Sequence, residues 1–154
     1  MKIGLDYWNC CSHHPGYFRS LATLALTAGH EVHVVSAVGR RHAGSVAPAI
    51  AELGIPVTGV HEVLFKRPVE SPALKVAKCL ELGFGGQDAF YDDRDDVCRA
   101  MTAAGILAMR VTRADGRGDV EAELQEPKRP LRMVGRRLVD ADGRPVEGWK
   151  ETWA

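Results

Sequence analysis

The chain predicts an α/β fold: a three-layer, Rossmann-like sandwich built on a five-stranded parallel sheet, followed by a short C-terminal appendage. Two observations predict it. Short apolar, often β-branched runs alternate with segments of helical periodicity from residue 2 to about 112. Alternation of this kind builds a parallel sheet whose crossover helices cover both faces. The helical segments also stop on glycines, at Gly29, Gly54, Gly83 and Gly105, which is where a helix releases the chain toward the next strand. With 154 residues the protein has room for one domain with a proper core and too little for two full ones.

Taken in order, Lys2–Leu5 is the first strand and delivers Asp6 to its end. Residues 16–28 carry Phe18, Leu21, Leu24 and Ala25 at helical spacing. The β-branched run EVHVVS is the second strand, ending at Ser36, and VAPAIAEL is a helix closed by Gly54. Pro56 and VTGV open a third strand. In ESPALKVAKCLELG, Ser71 reads as the N-cap, Pro72 takes the first helical position and Gly83 caps the C-terminus. DAFY is the fourth strand and runs directly into DDRDD; residues 95–104 form another helix, and ILAMRV is the fifth strand.

Residues 1–113 therefore form the core domain and residues 114–154 the appendage. RADGRGD is a loop, EPKRP forbids regular structure, and RRLVDADGRPVEGW resembles a hairpin turning at Asp142-Gly143.

Hydrophobic residues make up 45% and charged residues 26% of the sequence, at zero formal net charge. That is a soluble globular profile with no global electrostatic sign of a nucleic-acid or anionic-membrane partner. No apolar run reaches the length of a membrane span, and the N-terminus does not read as a signal peptide. Cys10, Cys11, Cys79 and Cys98 are expected as reduced thiols of a cytoplasmic protein.

Open parallel sheets bind ligands beyond the carboxyl ends of their strands. The first strand places Asp6 there, the second Ser36, and the fourth Asp92, Asp93 and Asp96, while Lys75 sits near the start of the preceding helix. A nucleophilic carboxylate, a hydroxyl, a lysine and an acidic cluster suit phosphoryl transfer. The carboxylates can hold Mg²⁺ through oxygen, the hydroxyl and ammonium can hold phosphate oxygens, and Asp6 can attack phosphorus.

The order of these motifs resembles the haloacid dehalogenase-like superfamily. The quoted stretches are KIGLDYW, VHVVSA, PALKVAKCLELG and FYDDRDDV, and the resemblance spans roughly residues 1–112. It implies a phosphatase-like hydrolase with Asp6 as the aspartyl nucleophile and an Mg²⁺ ligand, and with Ser36 and Lys75 on the transferring phosphoryl group. Asp92 would be the main acidic anchor of the cation, helped by Asp93 or Asp96. Lys78, one turn further along the helix, fits the lysine role less well. NCCSHHPG and HEVLFKRPVE leave no room for a substrate cap, so a small capless member with an open site is implied. The chain departs from the pattern at Trp8, where the phosphatases carry the Asp that protonates the leaving group and activates water; the indole is expected instead as a substrate-binding residue that covers one side of the pocket and stacks on a flat ligand. Dehalogenases of the superfamily carry an aromatic there, but with a cap.

The implied ligand is a small phosphorylated molecule. Three readings compete: a capless Mg²⁺-dependent phosphatase, a catalytically inactive relative that binds a phosphorylated ligand or a protein partner, and the first half of a two-domain glycosyltransferase suggested by LALTAGHEVHVVS. The chain is too short for the last. CCSHH invites a zinc reading, but adjacent ligands rarely converge on one tetrahedral ion. His30, His33, His42 and His61 show no partner pattern and read as structural or exposed.

Overall fold

The computed structural model describes residues 1–112 in full, and the backbone of residues 132–134 and 137–139. Two compact units divide the chain, Met1–Arg117 and Gly118–Ala154. In the first unit the order is β1 (Lys2–Leu5), α1 (Pro15–Thr27), β2 (Glu31–Gly39), α2 (Val46–Glu52), β3 (Gly59–Phe65), α3 (Ser71–Glu81), β4 (Ala89–Asp92), α4 (Asp95–Ala103) and β5 (Leu107–Arg110). The five strands make one sheet in the order β3-β2-β1-β4-β5, and every pairing is parallel. The expected doubly covered parallel sheet is the fold of this unit.

Alternation along β2 explains the layering. Val32, Val34 and Val38 join Leu5, with Phe18 and Ala22 of α1 and Val46 and Ile50 of α2, in one apolar cluster. Val35 faces the other way, into a cluster with Phe90, Cys79 of α3 and Val97 and Met101 of α4. Period-two alternation thus buries both faces of one strand. Gly4 leaves room for the ring of Phe90, its register partner on β4, which a Cβ at Gly4 would strike. All four cysteines are free and buried. Among the described residues, no helix is long and apolar enough to cross a membrane.

Several strand and helix ends shift by one residue from the sequence reading, the fourth strand to Ala89–Asp92 and the fifth to Leu107–Arg110 among them, and three boundaries differ for a structural reason. β2 continues past Ser36 to Gly39, because β3 runs alongside it from His33↔Gly59 to Gly39↔Phe65. β3 begins at Gly59, so Val57 and Thr58 lie ahead of it, with Thr58 N–H donating to Val32 O. Ser71 stands inside the first turn of α3, with Glu70 at the cap position, and makes no capping bond.

In the second unit, β6 (Arg132–Val134) and β7 (Arg137–Val139) form a two-stranded antiparallel pair. The turn expected at Asp142-Gly143 lies outside the described residues.

Candidate functional site

β1 is short. It pairs with β2 only as far as Leu5↔Val34 and with β4 as far as Leu5↔Tyr91. Asp6 follows at the carboxyl end, where its N–H donates to Tyr91 O at 2.9 Å. Ser36, two residues beyond the last β1 pairing, donates from Oγ to Asp6 Oδ1 at 2.7 Å. Lys75, one turn into α3, places Nζ 2.9 Å from Asp6 Oδ1 and 2.6 Å from Asp92 Oδ2. Asp92 ends β4, is fully buried, and accepts a second bond at Oδ1 from the Arg94 N–H at 2.9 Å. One ammonium thus bridges two carboxylates contributed by neighbouring strands, and Asp6, Ser36, Lys75 and Asp92 are all buried.

Burial alone would lower the Lys75 pKa, but Asp6 and Asp92 outweigh it and hold the ammonium above its ordinary range. Burial pushes the Asp92 carboxyl up to about 7; Lys75 opposes the rise and the Asp6 charge adds to it. Asp93 is also buried beside them, and the Arg94 guanidinium, held first by Asp96 and acted on as well by the Asp92 and Asp93 charges, lines the same cavity.

The donor atoms at the mouth of this group are close enough together to receive a cation. Ligand atoms of Asp6, Cys10 and Asp93 lie within 4.8 Å of one another. Burial, and then the Asp6, Asp92 and Asp93 charges, push the Cys10 thiol above its ordinary range, and sulfur is a softer donor than the oxygens a hard divalent ion prefers. Asp6 and Asp93 remain as oxygen donors, which fits a hard divalent ion that keeps several waters. Asp92 lies behind Lys75, tied to its ammonium and to the Arg94 amide. Asp96 is not part of this group: its two oxygens meet Arg94 Nε at 3.0 Å and Nη2 at 2.5 Å, and its Oδ1 also accepts from the Val97 N–H.

Over the carboxylates lies an open cavity of about 300 Å³, lined by Asp6, Trp8, Ser71, Lys75, Asp93 and Arg94 among others. Trp8 is 43% exposed and meets Tyr7 edge-on at 4.9 Å between ring centroids. It stands in a single wide turn, Tyr7–Cys11, in which the Cys11 N–H donates to Asp6 O. Asn9 in that turn has φ 57°, a left-handed conformation that asparagine tolerates better than most residues. Its Nδ2 donates to Asp93 Oδ2 at 3.0 Å, tying the turn to the β4 end.

Ser71 is 1% exposed, yet its Oγ has no hydrogen-bond partner among the described residues, although the side chain lines the cavity. Neither Asn9 nor Ser71 figures in the sequence reading as a site residue. For Asn9 the signal available was an asparagine placed soon after a strand-ending Asp; for Ser71, helix-start statistics favoured a cap.

No protein-family model matches the chain, and no curated protein matches it. Among solved structures, a chain from the Pnkp1/Rnl/Hen1 RNA repair complex superposes with a TM-score of 0.55 at 14% identity, covering 74% of this protein and 43% of that chain. A chain from a second structure of the Pnkp1/Rnl/Hen1 complex gives 0.56 at 14% identity, covering 73% and 46%. The protein spans less than half of either chain. At that identity the likeness is one of fold.

Proposed function

We propose that this protein is a capless, haloacid dehalogenase-like hydrolase: an Mg²⁺-dependent phosphomonoester phosphatase of low turnover, acting through Asp6. The observation that carries the reading is the buried Asp6 carboxylate sharing one oxygen between Ser36 Oγ and Lys75 Nζ at the open end of a parallel sheet. Two phosphate-binding groups already touch the atom that would carry the phosphoryl group. The distant fold likeness is compatible with this reading and adds no residue to it.

In this mechanism an Asp6 oxygen attacks phosphorus, the P–O ester bond breaks, and the leaving oxygen takes a proton from water. A second water then attacks phosphorus, releasing inorganic phosphate and restoring the Asp6 carboxylate. Lys75 and Ser36 hold the non-bridging oxygens through both steps, and Asp92 keeps Lys75 charged and in place. Asp6 and Asp93 would hold Mg²⁺, with Asp92 behind them; the ion supplies charge neutralisation for the incoming phosphate. Asn9 fixes the Asp93 carboxylate. Trp8 closes one side of the cavity and has no proton to give or take at neutral pH.

The test is release of inorganic phosphate from an aryl phosphate by the purified chain, with Mg²⁺ and with a chelator. Slow, Mg²⁺-dependent release abolished by Asp6→Asn supports the reading. Release that survives Asp6→Asn overturns it. A second reading, a binding protein without turnover, is favoured by one observation, the exposed indole in the cavity wall. Mg²⁺-dependent phosphate binding with no hydrolysis would select it.

A further inference from the structure

Beside the cavity over Asp6 lies a second one of about 500 Å³, lined by Gly39, Arg40, Arg41, His42, Phe65 and Lys66. The two share Gly39, His42 and Phe65 in their walls. Both open at the carboxyl ends of the strands, since Arg40–His42 follow β2, Lys66 follows β3, and Gly39 is in register with Phe65. Among the described residues, no acidic side chain lines the second cavity.

The cations here are uncommitted. Arg40, Arg41 and Lys66 are exposed, and none has an ion pair among the described residues. The nearby carboxylates bind backbone amides and Arg67 rather than the Arg40, Arg41 or Lys66 side chains. Glu62 accepts from the Gly44 and Val46 amides, and Glu70 from the Lys66 and Arg67 amides and the Arg67 side chain. In a chain of zero net charge, three exposed cations with no ion pair among the described residues, set around one aromatic wall next to the Asp6 cavity, form a local anion trap.

We infer that the cleft over Phe65 is a second anion site, and that the ligand is a small phosphomonoester carrying a further phosphate, which Arg40, Arg41 and Lys66 receive. This rests on Asp6, Ser36 and Lys75 forming the first phosphate pocket. The basic patch is confined to two loops and the chain is neutral overall, so a compact bisphosphate suits it better than a long polyanion. Phe65 offers a flat face for the part of the ligand between the phosphates.

The experiment is calorimetric titration of the full chain carrying Asp6→Asn, with Mg²⁺, so that no ester turns over. The probes are inorganic phosphate, fructose monophosphate against fructose bisphosphate, and adenosine monophosphate against adenosine bisphosphate. The expected result is bisphosphate binding at least about tenfold tighter than the monophosphate, since charged hydrogen bonds to one phosphate are worth that much. Arg41→Ala with Lys66→Ala should erase the gain, as should high salt, while leaving inorganic phosphate affinity unchanged. If inorganic phosphate binds and weakens with Ser36→Ala but bisphosphates gain nothing, the second site is overturned and the first pocket stands. If inorganic phosphate ignores Ser36→Ala, the first pocket falls and the inference with it. Affinity for a phosphorylated oligonucleotide that climbs with its length would overturn the small-ligand assignment in favour of a nucleic-acid end.

Discussion

The Lys75 ammonium lies 2.6 Å from Asp92 Oδ2, and neither side chain is more than 3% exposed. A buried pair this tight positions charge more than it stabilises the fold, because desolvation offsets most of the attraction. Its value here is geometric: Asp92 fixes Nζ where it also reaches Asp6 Oδ1. Removing one member leaves buried charge without compensation.

Lys75→Met is therefore expected to destabilise the protein by about 3–5 kcal/mol, the usual range for breaking a buried pair from one side. Urea unfolding measures it. Adding Asp92→Asn should recover part of the loss, because a neutral amide no longer needs the ammonium. A double variant no more stable than Lys75→Met would show that the lysine acts through packing of its stem instead.

Stability should also depend on pH in a direction set by Asp92. Its carboxyl is raised from 3.8 to about 7, first by burial, with Lys75 lowering it and Asp6 raising it. A carboxyl raised on folding binds protons more tightly in the native state. Below 3.8 the shift has no effect; between there and about 7 the native state loses ground as pH climbs. Without divalent cation, the melting temperature of the wild-type protein should decline relative to that of Asp92→Asn as pH climbs across that window. The comparison isolates Asp92 from groups such as His61, whose pKa is lowered first by burial and which acts in the opposite direction. Mg²⁺ should oppose the decline, stabilising the fold by mass action most strongly at neutral pH, where the carboxylates are ionised. Asp93→Asn should shrink the Mg²⁺-induced shift, and Asp96→Asn should leave it unchanged, since Asp96 is held by Arg94.

Ser71 separates stability from binding. A buried hydroxyl without a partner costs roughly 1–3 kcal/mol of desolvation, so Ser71→Ala should leave the melting temperature unchanged or slightly raised. If that hydroxyl is kept for a ligand in the cavity, inorganic phosphate affinity should fall several-fold, about one neutral hydrogen bond. Ser36→Ala, by contrast, removes an existing bond to Asp6 and should lower phosphate affinity and alter stability together. Unchanged phosphate affinity in Ser71→Ala would remove it from the site.

The sheet was legible because periodicity and stop glycines both act locally: Gly83, with φ 77°, ends α3 where its position in the sequence implied. The extension of β2 to Gly39 was not legible, because it depends on β3 lying alongside. The meeting of Asp6, Ser36, Lys75 and Asp92 followed from strand-end positions plus sheet order. Which carboxylate lies beside Asp6 in the open group did not follow, because in DDRDD it depends on where β4 stops and α4 starts. Asp93 falls in that gap and is caught by Asn9, whereas Asp96 lies in the first turn of α4 and turns to Arg94. Ser71 was misplaced as a cap by the same limit, since a helix can begin one residue early when Glu70 takes the entry position.

Trp8 decides how far chemistry proceeds. It lines the Asp6 cavity, 43% exposed, in a turn held by the Cys11 and Ser12 amides rather than by the indole, so a smaller side chain should be tolerated there. Lacking a general acid and base, worth about 10²–10⁴ in rate, the wild-type protein should turn over alkyl phosphates very slowly. Aryl phosphates should suffer less in the first step, because their leaving groups need no proton. Both should share a slow second step, since the indole at position 8 cannot activate the attacking water. Trp8→Asp is thus expected to raise alkyl phosphate hydrolysis by one or more orders of magnitude and aryl phosphate hydrolysis by less, as measured by phosphate release at saturating Mg²⁺. The same substitution should not change inorganic phosphate affinity by more than a few-fold, because Ser36 and Lys75 are untouched. Brisk wild-type turnover of an alkyl phosphate, unchanged or reduced in Trp8→Asp, would mean that another group supplies the proton; His42, which lines the same cavity, is then the residue to replace. No hydrolysis by either form, with Mg²⁺-dependent phosphate binding intact in both, would leave the indole as a ligand-contacting wall and the protein as a binder.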